Sequence, residues 1–211
     1  MSNREGIGHV IGRRAWMGSM IAALFGFLGM WLNRKVRPLP SSHLRPPGAL
    51  GEGDFERACA RCFKCGNACP NDCIKYYELD AGLAQAFTPY IRARERGCTL
   101  CGKCGEVCPT GALQLIGETQ DQWVENVDMG LARVNEGLCY SFAGRTCGAC
   151  YRACPLAGKA LKIGIFETPH IDPEFCVGCG LCEQSCLHLP QAIRVIPRHS
   201  KLLQIKGPQK S

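Results

Sequence analysis

Sixteen of the 17 cysteines in this 211-residue chain fall into four groups of four, beginning at residues 59, 98, 139 and 176. The starts lie 39, 41 and 37 residues apart, so the groups mark an internal repeat. The first group is Cys59, Cys62, Cys65 and Cys69, followed by Pro70. The second is Cys98, Cys101, Cys104 and Cys108, followed by Pro109. The third is Cys139, Cys147, Cys150 and Cys154, followed by Pro155, with a stretched first gap. The fourth is Cys176, Cys179, Cys182 and Cys186, followed by Leu187. At about 8% cysteine the chain approaches the level at which sulfur, more than a large oily core, holds a fold together.

Apart from the stretched gap, each group reads Cys-x2-Cys-x2-Cys-x3-Cys, the run that binds [4Fe–4S] clusters through thiolates in bacterial ferredoxins. Three cysteines at every third position, on a loop wrapped round a cube, aim three sulfurs at three corners. Gly66, Gly102, Gly105, Gly148, Gly178 and Gly180 let the backbone come close to such a group. The fourth cysteine is expected to open a short helix, with the following proline at its first position. In two-cluster ferredoxins that cysteine ligates the other cluster, so the motifs work in pairs. Zinc sites use two separated Cys-x2-Cys pairs and do not call for a third cysteine at the same spacing. Neighbours three apart on one tight loop pair poorly as disulfides. Haem attachment needs histidine after a Cys-x2-Cys, and none is present. The reading is therefore four [4Fe–4S] clusters held by all sixteen cysteines as iron ligands.

Cys73 is left over. It aligns with Ala112 after the second motif and is read as a small packing residue beside a cluster. His188 is read as a surface or structural histidine, since its group already has four cysteines. Apolar strands are expected over 73–78, 112–116, 160–166 and 192–196, and another over 131–134. Short helices, small antiparallel strands and cluster loops give an α+β class with two ferredoxin-like dicluster units, preceded by an N-terminal hydrophobic helix. Sequential pairing of motifs and nested pairing both remain open. With so few large apolar residues, cluster assembly and folding are expected to be one event.

The net charge of +7 sits in the tails. Residues 1–45 hold seven Lys/Arg against one acid, residues 191–211 five against none, and the body between them carries more acids than bases. A nucleic-acid-binding protein would carry its basic footprint on the folded body, so that function is excluded. Arg13-Arg14 stands just before an 18-residue uncharged run, Ala15 to Leu32, which as a helix would span about 27 Å. Residues 1–36 are thus read as a twin-arginine-type leader or membrane anchor. No Ala-x-Ala site follows Leu32, and cleavage and retention both stand open. Residues 37–52 read as a Pro-rich linker, 53–197 as the four-motif domain and 198–211 as a basic tail. No P-loop, GxGxxG or Ser/His/Asp arrangement marks a substrate site, so no catalytic residue is assigned.

The chain resembles the MauM/NapG family of ferredoxin-type proteins. The resemblance rests on Arg13-Arg14, on Arg45-Pro46-Pro47-Gly48-Ala49, and on Phe55-Glu56-Arg57-Ala58-Cys59-Ala60-Arg61-Cys62. It rests also on the long-gap third motif with its Tyr151-Arg152-Ala153-Cys154-Pro155-Leu156 ending. The even gap of the second motif departs from relatives that insert residues there. The resemblance implies a periplasmic electron carrier, exported folded by the twin-arginine route and held at the inner membrane if the leader is uncleaved. It implies a membrane-integral NapH/MauN-like quinol-oxidising iron–sulfur partner and a periplasmic acceptor such as a nitrate reductase system. Two other readings stand beside it: a tightly bound electron-transfer subunit of a molybdenum-type oxidoreductase, and a cytoplasmic membrane-anchored polyferredoxin.

Overall fold

The computed structural model describes residues 43–198. The leader with Arg13 and Arg14, its apolar run, and the tail from 199 onward lie outside the described residues. The stretch expected as a linker over 37–52 is part of the fold by residue 43, because its prolines and its arginine find buried partners. Leu44 exchanges two backbone hydrogen bonds with Ile91, at 3.2 and 2.7 Å. Arg45, Pro46 and Pro47 are buried. Helix α1 follows at Glu52–Ala58, with Glu52 and Asp54 in its first turn and Arg57 in its last, the charge order a helix dipole favours. Its apolar anchor, Phe55, is fully buried.

Two halves of the same topology follow one another. In the second half, strand β3 (Gly130–Val134) pairs antiparallel with β6 (Ile193–Pro197), and β4 (Leu161–Ile163) pairs with β5 (Pro169–Ile171). In the first half β1 (Ile74–Tyr76) pairs with β2 (Pro89–Ile91). The outer pair there shrinks to one bridge, Ala49 to Leu113, flanked by Leu50 N–H to Ala112 O (3.1 Å) and Gln114 N–H to Gly48 O (2.8 Å). The strand expected over 112–116 therefore does not form, because its partner begins Pro46-Pro47, which has no N–H to give a ladder. The expected strands at 73–78, 160–166 and 192–196 appear, shortened or shifted, as β1, β4 and β6, and that at 131–134 as β3. The fold is α+β, and each half joins consecutive motifs: first with second, third with fourth. Sequential pairing is what forms.

The one-turn helices lie elsewhere than expected. They are α2 (Lys64–Asn67), α3 (Lys103–Glu106), α5 (Ala149–Ala153) and α6 (Leu181–Gln184). Each ends before the fourth cysteine of its motif, and none begins there. The proline after that cysteine lies in a turn, where a ring without an N–H prevents the helix from continuing. A seven-residue helix, α4 (Gln120–Asn126), links the halves. Its Thr119 and Gln122 cap each other reciprocally.

The main core gathers Leu44, Phe55, Ile74, Ile91, Leu100, Leu113, Ile116, Met129, Leu156 and Val177 together with Cys73, Cys98, Cys104 and Cys179. A smaller cluster joins Ala132, Leu161, Cys182 and Ile193. Cysteines are thus core residues in both, in keeping with the scarcity of large apolar side chains.

Candidate iron–sulfur sites

The loops that carry the cysteines are shaped by left-handed residues. In the first, second and fourth motifs the second cysteine is flanked on both sides by positive φ: Arg61 and Phe63 around Cys62, Leu100 and Gly102 around Cys101, Gly178 and Gly180 around Cys179. In the third, Gly148 follows Cys147 with φ 56°. The residue after the second cysteine is also the N-cap of the one-turn helix, and the third cysteine sits two places into it, at Cys65, Cys104, Cys150 and Cys182. This alternation winds the backbone round a centre and turns successive N–H groups inward. Arg61, Phe63 and Leu100 hold the left-handed region without being glycine, at a cost of about 1–3 kcal/mol each. Neighbours fix two of them. Arg61 donates to Ala86 O at 3.0 Å and to Ala84 O at 2.9 Å. Phe63 meets the Tyr76 ring edge-on, and its carbonyl accepts the Tyr76 hydroxyl at 2.9 Å. The same Tyr76 oxygen accepts from Gly66 N–H at 2.9 Å, and a Cβ at position 66 would collide with it.

Three open cavities lie inside these loops, each lined by four cysteines. The first has Cys59, Cys62 and Cys65 from one motif and Cys108 from the next. The third has Cys139, Cys147, Cys150 and Cys186, and the fourth has Cys176, Cys179, Cys182 and Cys154. Each ring so takes three thiols from one motif and the last from its pair-mate. For Cys98, Cys101 and Cys104 the fourth thiol by the same rule is Cys69. Its turn reaches them, because Asn71 Nδ2 donates to Gly97 O at 2.7 Å. Cys73 lies between, with its Sγ 3.5 Å from Cys69 Sγ and a side-chain hydrogen bond to Cys98. It is buried, as is its counterpart Ala112. His188 lines the third cavity; its ring contacts Tyr140, and its Nδ1 is 2.7 Å from Pro190 O.

These rings suit an iron–sulfur cube. The thiols stand around a space, and among the described residues no three Cys, His, Asp or Glu side chains converge on a single-ion site. Ser141 is among the residues that line the third cavity, and its hydroxyl is buried with no partner among the described residues. The thiols themselves need a cationic partner. Burial, then neighbouring thiols, push Cys104 up to about 12. Burial pushes Cys179 up to about 12 and Cys150 to about 11, and holds Cys182 well above its ordinary value. The hydrogen bond that Cys98 donates to Cys73, then burial, hold Cys98 high as well. In a chain without iron these groups keep their protons at neutral pH, and coordination is what makes them thiolates.

Sequence comparison agrees with this architecture. The family model of the 4Fe–4S dicluster domain matches residues 58–112 and 144–188, one copy per half. The methylamine utilization ferredoxin-type protein MauM of Methylobacillus flagellatus is 38% identical over 189 residues, covering 84% of this chain and 78% of its own length. The ferredoxin-type protein NapG of Escherichia coli K12 is 34% identical over 206 residues, covering 88% of this chain and 86% of its own. MauM of Paracoccus denitrificans is 35% identical over 188 residues, covering 84% and 82%.

Proposed function

Because the chain belongs to the MauM/NapG-type ferredoxin proteins, we propose that it holds four [4Fe–4S] clusters and relays electrons from a membrane-integral, quinol-oxidising iron–sulfur partner to a periplasmic acceptor such as a nitrate reductase system. The observation that carries this reading is the ring arrangement: three cysteines of one motif close on the fourth cysteine of its pair-mate. The ligands would be Cys59, Cys62, Cys65 and Cys108 in the first site, and Cys98, Cys101, Cys104 and Cys69 in the second. They would be Cys139, Cys147, Cys150 and Cys186 in the third, and Cys176, Cys179, Cys182 and Cys154 in the fourth. Each cluster, when bound, takes up and releases one electron at a time. The chain supplies thiolates, left-handed loops that direct N–H groups inward, and apolar walls that limit water. Among them are Phe55 and Leu113 at the first site and Leu156 and Val177 at the fourth. Apolar surroundings and hydrogen bonds to sulfur are the levers that set such potentials.

Arg13-Arg14 before an uncharged run supports export by the twin-arginine route, after the clusters have been inserted in the cytoplasm. The protein then works on the periplasmic face, held to the membrane where the leader stays uncleaved. The test is iron and acid-labile sulfide per chain, with EPR, on protein purified without oxygen. About sixteen of each is the expected result. About four zinc ions and no sulfide would overturn the electron-transfer reading.

A further inference from the structure

We infer that the four sites form a row in the order first, second, fourth, third, and that the second and fourth meet at the junction of the halves. Within the first half, α2 with Cys65 packs on α3 with Cys104; within the second, α5 with Cys150 packs on α6 with Cys182. Between halves, the second motif lies directly against the fourth. Cys98 N–H donates to Cys179 O at 2.7 Å. Gly97 N–H donates to Gln184 Oε1 at 2.8 Å. Arg94 reaches across to the carbonyls of Glu183 and Cys186, at 3.2 and 3.0 Å. No side chain fits between: a Cβ at Gly97 would stand 2.7 Å from Leu181 N and 2.8 Å from Gly180 C. Burial points the same way, exposed Cys101 of the second site excepted. Cys98, Cys104, Cys179 and Cys182 are buried, whereas no cysteine of the first or third site is. The first and third sites are the ends of the row, opening beside exposed Phe63 and Phe87 at one and Tyr140 and Leu187 at the other.

The inference rests on the four-cluster reading, and its test separates the two. In the full chain, Cys62→Ala with Cys147→Ala empties the first and third sites; Cys101→Ala with Cys179→Ala empties the second and fourth. After reduction, the first variant is expected to show an EPR signal split by spin–spin interaction. The second is expected to show two unsplit signals. The opposite pattern, or splitting in both, overturns the order. Iron and sulfide near half of the wild-type content in each variant confirm that two sites remain loaded, and a content that is not shared among four sites counts against the four-cluster reading instead. Gly97→Ala, which leaves every ligand in place, is expected to keep all its iron and lose part of the splitting between second and fourth sites. Unaltered splitting there also counts against the junction.

A second inference has its own observation. Ser141 is 2% exposed, its Oγ has no partner among the described residues, and it lines the third cavity with Cys139, Cys147, Cys150 and Cys186. We propose that Ser141 is a positioning residue whose hydroxyl donates to sulfur at the third site and raises the potential of the cluster held there. A donor stabilises the more negative, reduced form, so its removal lowers the potential. In an EPR-monitored redox titration, Ser141→Ala is expected to shift one of four midpoints downward, that of the signal missing from Cys147→Ala. Ser141→Thr, which keeps the hydroxyl, is expected to leave it in place. An unmoved midpoint in Ser141→Ala, or a shift in another centre, overturns the assignment.

Discussion

Replacing Arg45 by alanine tests how far the N-terminal edge of the fold hangs on one side chain. Arg45 is 4% exposed, and each nitrogen of its guanidinium makes at least one hydrogen bond. Its Nε lies 3.1 and 3.2 Å from the two oxygens of Glu52, and Nη2 also meets Glu52. Its Nη1 donates to Thr88 Oγ1 at 2.8 Å and to Pro89 O at 2.9 Å. The guanidinium stands 4.8 Å from the centre of the Phe55 ring and 5.4 Å from that of Tyr77. Breaking a buried ion pair from one side costs about 3–5 kcal/mol. Glu52 keeps some access to water, with 23% of its side chain exposed, which places the loss near 3 kcal/mol. That is roughly a hundredfold in the population of the opened segment, at about 1.4 kcal/mol per tenfold. Phe55 and Pro89 line the first cavity, so opening this edge exposes the first site. The assay is the bleaching of visible absorbance under anaerobic chelator challenge, alongside urea unfolding. Arg45→Ala is expected to bleach about a quarter of the absorbance up to roughly a hundredfold faster, with Arg45→Lys between it and wild type. A double cycle with Glu52→Ala should return a coupling well above the scatter of about 0.5 kcal/mol expected for independent sites. A change of less than threefold in Arg45→Ala, with no coupling to Glu52, would refute the argument.

Cys73→Ala is expected to keep the full iron content at a stability loss of about 1 kcal/mol, since it removes one buried sulfur from a packed site; loss of a quarter of the iron would make Cys73 a ligand. Tyr76→Phe strands the Gly66 N–H and the Phe63 carbonyl, so a loss of about 1–2 kcal/mol in anaerobic unfolding is expected. An unchanged midpoint would show that Phe63 keeps its left-handed turn unaided. Burial holds the Glu183 carboxyl above its ordinary range, although it accepts Val195 N–H at 2.7 Å. A raised folded-state value favours the protonated form. Its stabilising effect is complete below the ordinary value of 4.5 and fades as pH rises through the folded value. Glu183→Gln should therefore be more stable than wild type at pH 7, with the advantage shrinking toward pH 5, in parallel thermal scans. An advantage that grows as pH falls would reverse the assignment.

The sequence carried the chemistry further than the architecture. Ligand spacing repeats in the chain itself, so the sixteen cysteines could be grouped without coordinates. The return strands escaped, although each has a signal: Thr88-Pro89-Tyr90-Ile91 and Thr168-Pro169-His170-Ile171 share one pattern, and proline is tolerated at the first residue of a strand. Thr119-Gln120-Asp121-Gln122 likewise spells the capping box that starts α4. The one-turn helices lie before the fourth cysteine and not after it, because the proline that follows it serves as a stop and not as a start. Other features had no local signal. Leu100 and Arg61 adopt left-handed backbone because the loop around them requires it, against their own preference. That Gly97 meets Leu181 depends on a contact some 80 residues apart that no spacing encodes. Arg45 belongs to the stretch that carries the family resemblance, and its burial under Tyr77 and against Glu52 gives that stretch its reason.

The exchange of fourth cysteines in the proposed ligand sets also implies a timetable for synthesis. As the chain leaves the ribosome, Cys59, Cys62 and Cys65 wait for Cys108, while Cys69 waits for Cys98, Cys101 and Cys104. The first two rings thus become complete within four residues of each other, at Cys104 and Cys108. The later two do so at Cys182 and Cys186. A nascent chain stalled between the first two motifs offers no finished ring to the assembly machinery, whereas one released after Cys108 offers two. With the proposed ligand sets, maturation is expected to proceed in two steps, not four, and the smallest segment that gene duplication or truncation can add or remove without leaving an orphaned thiol is a half, never a single motif.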